Sequence, residues 1–268
     1  MFKQRLISGI ILVILAFITL YFGGTLTLLV TAVISLIGVH ELLKVIGREK
    51  SALGVIIYAG SILYYILLWL NLDQYTVPLA LLILVMLFSV YVFTFPKYEI
   101  SSVAIAFFAF FYVTVMLSCI YRIRVLDNGA YMIVLVFLSA WGNDTLAYCA
   151  GRLFGKRKMS PVLSPKKTIE GAVGGVIGAG LLGVLYGFLV KRFILAGFSL
   201  PAAFGIICAA GGLISIVGDL GASAIKRNYE IKDYSNLIPG HGGILDRFDS
   251  IIFTAPIIYY LLVLVVRI

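Results

Sequence analysis

Four aspartates in the second half of the chain have a residue type and spacing suited to holding a divalent cation. Asp144 lies inside one long apolar run, and Asp219 lies at the end of another. Asp246 and Asp249 are three residues apart, so they share a face if the last helix begins there. A charge at the centre of a bilayer costs about 3 kcal/mol, and acids within membrane spans therefore usually serve a function. We expect these four carboxylates to meet in one hydrated cavity.

The other polar groups near these aspartates favour a hard metal ion. The set contains carboxylates, an asparagine and hydroxyls, and it has no cysteine–histidine cluster with the spacing of a zinc site. Mg²⁺ is normally held by one or two carboxylates together with substrate phosphates. The sequence predicts Mg²⁺ on Asp219, Asp246 and Asp249, with Asp144 completing the site; a second divalent ion or a monovalent cation stays open. The alternative is that some of these aspartates only neutralise neighbouring bases, namely Lys226, Arg227 and Arg247.

A basic segment between two apolar runs has the composition of a phosphate-binding site. Its cations are Arg152, Lys156, Arg157, Lys158, Lys166 and Lys167. Ser164, Pro165 and Thr168 are typical of a helix start, with Glu170 in the first turn. A helix N-terminus with free backbone N–H groups and two lysines, Lys166 and Lys167, would bind phosphate. The alternative is a polybasic patch that contacts anionic lipid.

A glycine-rich segment lies between Lys226-Arg227 and the last two aspartates; it reads Pro239-Gly240-His241-Gly242-Gly243. Its glycines would let the backbone approach a ligand closely. His241 is open to three interpretations: a general base, a contact to a ligand, or a residue that packs the loop. A tight turn without a ligand is the simpler alternative, but the flanking charges favour a binding segment.

The composition places these residues in a membrane protein. The chain has 268 residues, of which 62% are hydrophobic and 12% are charged, and its mean hydropathy is +1.10. A soluble domain usually has ~45–50% apolar and ~25% charged residues. Disorder is excluded, and so is a secreted disulfide scaffold, because the three cysteines lie inside apolar runs. The predicted fold class is an all-α polytopic membrane protein.

About nine apolar stretches reach the ~20 residues that a transmembrane helix requires. They cover residues 6–22, 25–46, 54–70, 77–95, 101–121, 130–150, 170–190, 198–220 and 250–267. The first stretch follows Lys3 and Arg5 and has no small-residue cleavage site, so we expect a retained helix rather than a signal peptide.

The distribution of basic residues predicts the orientation of these spans. If the N-terminus is cytoplasmic, the 21 lysines and arginines lie in cytoplasmic segments, except Arg122, Arg124, Lys191, Arg192 and Arg267. The positive-inside rule thus predicts a cytoplasmic N-terminus and an external C-terminus. The four aspartates then lie on the cytoplasmic side. The same rule accounts for the net charge of +9 without a nucleic-acid partner.

Polar residues are spread unevenly along the chain. Residues 1–125 are predicted to be a transmembrane scaffold, in which His40 and Glu41 are interpreted as a helix-end pair. Residues 126–268 hold the polar loops and are predicted to be the catalytic region. The seventh span has glycines four residues apart, such as Gly171 and Gly175, a spacing that permits close helix packing. Packing within the chain is the favoured interpretation, and a homodimer face is the alternative.

At these residues the sequence resembles the phosphatidate cytidylyltransferase (CDP-diacylglycerol synthase) family. The family pattern reads S-x-x-K-R, four residues, K-D and a small residue, and ends in P-x-H-G-G-x-x-D-R-x-D. It is matched throughout from Ser223 to Asp249, and residues 164–171 resemble a second family motif. The motifs cover residues 140–250 approximately, while length and hydropathy carry the resemblance over the rest.

The resemblance implies an enzyme of phospholipid biosynthesis that converts CTP and phosphatidate into CDP-diacylglycerol and pyrophosphate. It further implies a bacterial-type cytoplasmic membrane, with the active site facing the cytoplasm. With that reaction in view, we assign catalytic roles to Asp219, Asp246, Asp249, Lys226, Arg227 and Arg247. The residues assigned to substrate and phosphate binding are Lys166, Lys167, Ser223, His241, Gly242 and Gly243.

Two other functions stay open at this point. A CTP-dependent polyprenol or lipid kinase has similar requirements but would release CDP instead of pyrophosphate. An anion transporter would use intramembrane aspartates for cation coupling, although such proteins often show repeats and broken helices in both halves. A CDP-alcohol phosphotransferase is disfavoured, because the pattern D-G-x-x-A-R…G…D…D does not occur in the sequence.

Overall fold

A computed structural model of the chain describes residue 9 and residues 14–194, 199–240 and 242–266. Eight helices in this part of the chain are long and apolar enough to cross a membrane. The prediction of an all-α polytopic membrane protein is therefore confirmed. The first predicted span, 6–22, is described only in part, and its residues 14–22 are helical. Four residues used above lie outside the described residues, namely Lys3, Arg5, His241 and Arg267.

The eight helices follow one another along the chain, and the two longest connections precede α6 and α8. They are α1 (Gly24–Val45), α2 (Ala52–Trp69), α3 (Thr76–Phe93), α4 (Ile100–Arg124), α5 (Gly129–Phe154), α6 (Ile169–Val190), α7 (Leu200–Asn228) and α8 (Leu245–Leu261). A 3₁₀ turn, Asp73–Tyr75, precedes α3, and a π-helical segment, Leu262–Val266, continues α8. Two strands, β1 (Lys158–Ser160) and β2 (Ser164–Thr168), pair antiparallel between α5 and α6.

Most of these helices form in sequences that are apolar on every side. In α3, for example, Val77, Leu81 and Val85 are exposed although all three are large and hydrophobic. A helix that is hydrophobic all round is typical of a membrane span, since lipid can cover the outward-facing side chains. A helix also satisfies its own backbone hydrogen bonds, as the hydrocarbon region requires.

The described residues fall into two compact units. The first comprises Met1–Tyr121 with Asp233–Arg247, and the second comprises Arg122–Lys232 with Phe248–Ile268. The sequence-based division into residues 1–125 and 126–268 concerns function, and it stays a prediction.

In the first unit, polar side chains link the buried faces of α1, α2 and α4. Ser35 Oγ lies 2.7 Å from the Tyr65 hydroxyl. Ser61 Oγ lies 2.8 Å from Thr114 Oγ1, within a π-helical stretch of α4. Such interhelical hydrogen bonds fix the register of helices that apolar packing alone would leave less well defined.

In the second unit, the glycines of α6 bring it against both α5 and α7. A Cβ added at Gly175 would lie 2.7 Å from Asn143 Oδ1 of α5, and one at Gly183 would lie 2.8 Å from the Cys208 Cβ of α7. Glycine is therefore needed for these close approaches, and the prediction that the glycine spacing serves packing within the chain is confirmed. The homodimer stays a prediction.

Two helix boundaries next to the predicted site residues differ by five residues or more from those predicted. Helix α7 continues past Asp219 to Asn228, and α8 begins at Leu245 rather than near residue 250. Both extensions are polar, and hydropathy detects only the apolar part of a helix. As a consequence, Ser223, Lys226 and Arg227 lie on the last turns of α7.

Candidate functional site

A cavity of about 430 Å³ lies in the second unit, lined by α5, α6, α7 and the β1–β2 hairpin. Its charged lining residues are Asp144, Arg152, Lys166, Lys167 and Asp219. Apolar side chains such as Tyr148, Met159 and Ile216 complete the wall. The cavity thus combines acids, bases and an apolar surface, a combination suited to an anionic ligand that also carries an apolar part.

An ion pair between Lys167 and Asp219 lies in this cavity. The Lys167 ammonium donates to Asp219 Oδ2, and the two side chains are 28% and 26% exposed. Asp144 lies within electrostatic range of both residues. The lysine therefore offsets the repulsion between two carboxylates that face the same space.

Asp249 of α8 belongs to the same unit and lies within electrostatic range of Asp219, Asp144 and Lys226. Its Oδ1 accepts a hydrogen bond of 2.8 Å from the Ser250 backbone N–H. Helices α7 and α8 approach closely here, because a Cβ at Gly218 would lie 2.7 Å from the Asp249 carbonyl oxygen. The second unit thus brings together three of the four predicted aspartates.

The backbone of α5 changes from α- to π-helical geometry at Leu138–Gly142, directly before Asn143 and Asp144. Such π-bulges often occur at functional sites. Asn143 is fully buried, and its Nδ2 donates to Ser215 Oγ at 3.0 Å. Among the described residues, its Oδ1 has no hydrogen-bond partner. Sequence reasoning counted an asparagine among the polar groups but assigned Asn143 no role, although an amide inside an apolar run next to Asp144 was a signal for one.

The hairpin presents its lysines differently from the prediction. Lys166 and Lys167 lie on strand β2, whereas the helix begins only at Ile169. Thr168 is the N-cap, since its Oγ1 accepts from the Gly171 N–H at 3.1 Å. Phosphate binding in this region would therefore depend mainly on the lysine ammonium groups, because the N–H groups of Ile169 and Gly171 in the first turn are already bonded.

A carboxylate at the start of α6 holds the preceding loop. Glu170 accepts hydrogen bonds from the backbone N–H groups of Lys156 at 3.0 Å and Arg157 at 3.2 Å. The basic loop before the hairpin is thus tied to the first turn of α6, where Glu170 was predicted to lie.

Asp246, Arg247, Gly242 and Gly243 belong to the first unit. Asp246 is buried, and its Oδ2 accepts from the Tyr234 N–H at 2.9 Å and from the Gly243 N–H at 3.0 Å. Arg247 is exposed. Gly242 has φ +82°, a left-handed conformation that favours glycine. In this unit Asp246 organises the segment around it.

The sequence predicts Mg²⁺ on four aspartates, and the described structure shows which of their carboxylates share the cavity. In the part of the chain that the structure describes, no group of three or more His, Cys, Asp or Glu is arranged to hold a metal ion. The cavity nevertheless offers the carboxylates of Asp144 and Asp219. Two carboxylates fit Mg²⁺, which takes most of its remaining ligands from water and substrate phosphates.

Known proteins match this chain over nearly its whole length. Residues 3–265 match the model of the cytidylyltransferase family. A phosphatidate cytidylyltransferase of Thermotoga maritima is 35% identical over 237 residues, which cover 86% of this chain and 85% of the relative. One of Bacillus subtilis is 32% identical, with 98% of both chains covered. One of Staphylococcus saprophyticus is 33% identical, with 97% of this chain and 99% of the relative covered.

Proposed function

The chain belongs to the cytidylyltransferase family, and we propose that it transfers the cytidylyl group of CTP to phosphatidate, the reaction for which its relatives are named. The products are CDP-diacylglycerol and pyrophosphate. The observation that carries the proposal is the match of almost the entire chain, from residue 3 to residue 265. The charged cavity in the second unit supports it independently.

The cavity suits these two substrates because both are anionic. Arg152, Lys166 and Lys167 line it, and a concentration of cations raises the local concentration of anions. The apolar part of the wall would accept the part of phosphatidate next to its headgroup. Lys226, near Asp249, and Arg227, which is exposed on the same turn of α7, would contact further phosphate groups.

The chemistry needs positioning more than proton transfer. A phosphomonoester has a second pKa of about 6, so the phosphatidate phosphate is largely ionised at neutral pH without a protein base. One of its oxygens forms a bond to the α-phosphorus of CTP, while the bond from that phosphorus to the bridging oxygen breaks and pyrophosphate leaves. Lysines placed beside the phosphates would offset the negative charge that gathers in this step.

The carboxylates would hold a divalent cation together with the phosphates of CTP. We propose Mg²⁺ on Asp144 and Asp219, with Asp249 adding negative charge within electrostatic range of both. When bound, the ion would neutralise phosphate charge and orient the α-phosphorus for in-line attack. The roles predicted for Asp246, Arg247, Ser223, His241, Gly242 and Gly243 stay predictions.

The protein is an integral membrane protein, and we propose that it resides in the bacterial cytoplasmic membrane with the cavity facing the cytoplasm. CTP is a cytosolic compound, whereas phosphatidate stays in the lipid leaflet. An active site on the cytoplasmic surface is accessible to both. The positive-inside distribution of lysine and arginine supports this orientation.

Pyrophosphate release from purified protein in detergent tests the proposal. We expect release only when CTP, phosphatidate and Mg²⁺ are all present. The Asp219→Asn variant should lose turnover by at least roughly a hundredfold, because it removes a charged ligand from the cavity. Asp127→Asn makes the same chemical change at an exposed loop position and should keep wild-type activity.

The other outcomes of this assay distinguish the alternatives. CDP released together with a phosphorylated lipid alcohol would replace the proposal with a lipid kinase. A folded protein that forms neither product would contradict both enzyme assignments and favour transport.

A further inference from the structure

A buried carboxylate in the first unit binds the segment that begins α8. Glu41 lies on α1, is 1% exposed, and accepts hydrogen bonds from the N–H groups of Ile244 at 2.9 Å and Leu245 at 2.8 Å. Ser235 Oγ donates to it as well, at 2.6 Å. His40 and Glu41 both lie near the end of α1 and both have partners, as expected for a satisfied helix-end pair, and His40 Nδ1 lies 3.0 Å from the Tyr58 hydroxyl.

These hydrogen bonds satisfy groups that would otherwise lack partners. The first N–H groups of a helix have no acceptor within the helix, and a negative charge near them is stabilising. Glu41 caps α8 from a position 204 residues earlier in the chain. Three donors surround the carboxylate, and a buried carboxylate is tolerated when it is bonded in this way.

Asp246, in the first turn of α8, binds another backbone N–H group next to those that Glu41 binds. It accepts from the Gly243 N–H, so the consecutive N–H groups of Gly243, Ile244 and Leu245 all donate to carboxylates. This start of α8 therefore has no free N–H groups at these three positions for a phosphate. The segment is held in place by two acids, Glu41 and Asp246.

The glycine at position 243 is explained by Glu41. A Cβ at Gly243 would lie 2.5 Å from Glu41 Oε1 and 2.7 Å from Oε2. Contacts under 3 Å would force the carboxylate away from the N–H groups that it binds. Gly243 thus permits the close approach of Glu41, a requirement that is independent of any ligand.

We infer that Glu41 is a positioning residue, which holds Ser235 and residues 243–245, and with them Asp246, in the geometry that cytidylyl transfer requires. The effect on turnover rests on the proposed function, whereas the effect on the segment does not. Glu41 belongs to the predicted scaffold region, residues 1–125. On this inference, that region helps to position part of the family pattern that is matched from Ser223 to Asp249.

Hydrogen–deuterium exchange of Glu41→Gln tests the effect of Glu41 on the segment. We expect exchange in residues 234–245 to rise by roughly ten- to hundredfold, because hydrogen bonds to a charged acceptor are lost. Exchange in α2 should stay unchanged. Glu99→Gln, the same change at an exposed position of the first unit, should leave both regions as in the wild type. Unchanged exchange in residues 234–245, or an equal rise in α2, would overturn the inference.

Steady-state kinetics of Glu41→Gln test the effect of Glu41 on turnover. Glu41 touches no substrate in this proposal, so Glu41→Gln should lower kcat by roughly ten- to a hundredfold through misalignment and change the KM for CTP by less than about threefold. A kcat equal to that of the wild type would overturn the positioning role. If the wild-type protein itself releases no pyrophosphate, the proposed function fails, while the exchange experiment still decides whether Glu41 holds the segment.

Gly243→Ala covers the case in which Glu41→Gln does not fold, because it displaces the carboxylate without removing it, and exchange in residues 234–245 should rise as well. A double-mutant cycle then tests the contact by stability alone. Gly243→Ala should lower the Tm in the wild-type background and cost clearly less in Glu41→Ala, where the carboxylate that it would contact is gone. Equal losses in both backgrounds would contradict the contact between Glu41 and position 243.

Discussion

Lys167 and Asp219 form an ion pair in the cavity beside a second carboxylate, Asp144. The pair therefore has two separable effects. It stabilises the fold by offsetting the repulsion between the acids, and it places an ammonium group where a substrate phosphate would bind. Substitution of one partner alone would change both effects together.

We predict that Lys167→Met lowers the stability by about 1–2 kcal/mol, between the values typical of exposed and buried pairs. Turnover should fall by at least roughly a hundredfold, because a charge near the phosphates is lost. The Lys167→Met/Asp219→Asn double variant should recover most of the Tm, since the repulsion between Asp219 and Asp144 is removed together with the lysine that offset it, but none of the activity. Thermal unfolding in detergent and pyrophosphate release measure the two effects separately. Recovery of activity in the double variant would show that the pair is only structural.

At the scale of elements, the sequence predicts the helices well because each is a long apolar run. The predicted span 170–190 and the observed Ile169–Val190 differ by one residue at the start. The prediction fails where a helix leaves the apolar region. Asp219 was expected to end α7, yet the helix continues to Asn228, because its polar turns carry no hydropathy signal.

Strand β2 was not predicted, because Ser164-Pro165-Lys166-Lys167-Thr168 has no β-branched or aromatic residue before its last position. The side-chain contacts were even less accessible to sequence reasoning. The residues of the Lys167–Asp219 pair lie 52 positions apart, and Glu41 and Leu245 lie 204 positions apart. Only folding of the helices against one another brings such residues into contact. The carboxylates and lysines could be predicted as site residues by type, but their partners could not.

The packing of α6 against α7 provides a prediction at this scale. A Cβ at Gly183 would contact the backbone carbonyl of Phe204 and lie 2.8 Å from Cys208 Cβ, and backbone cannot yield without separating the helices. Gly183→Ala should therefore cost about 1–3 kcal/mol, as overpacking usually does. Gly221→Ala is the matched control: a Cβ there meets nothing within 4 Å, and alanine favours a helix by roughly 1 kcal/mol. Thermal unfolding should show a lower Tm for the first variant and an equal or higher Tm for the second. An equal or higher Tm for both variants would mean that helix propensity, not packing, controls both positions.

For the whole molecule, the positions of the two ends of α6 show on which side of the membrane the cavity would lie. Lys158 lies on the hairpin before this helix and Lys191 directly after it, and both are exposed. If α6 crosses the bilayer, the two lysines lie on opposite sides. The proposed function requires the hairpin on the cytoplasmic side, where CTP is available.

We predict that a membrane-impermeant maleimide labels Lys191→Cys in intact cells and labels Lys158→Cys only after permeabilisation. Both variants would be made in a Cys149→Ala background, because Cys149 is exposed while Cys119 and Cys208 are buried. That background alone should remain unlabelled. The reverse pattern would place the hairpin and its lysines outside the cell, away from CTP, and would contradict the proposed orientation. Labelling of both positions in intact cells would instead show that α6 does not cross the membrane. The labelling pattern therefore tests the orientation by itself, since it requires neither substrate nor turnover.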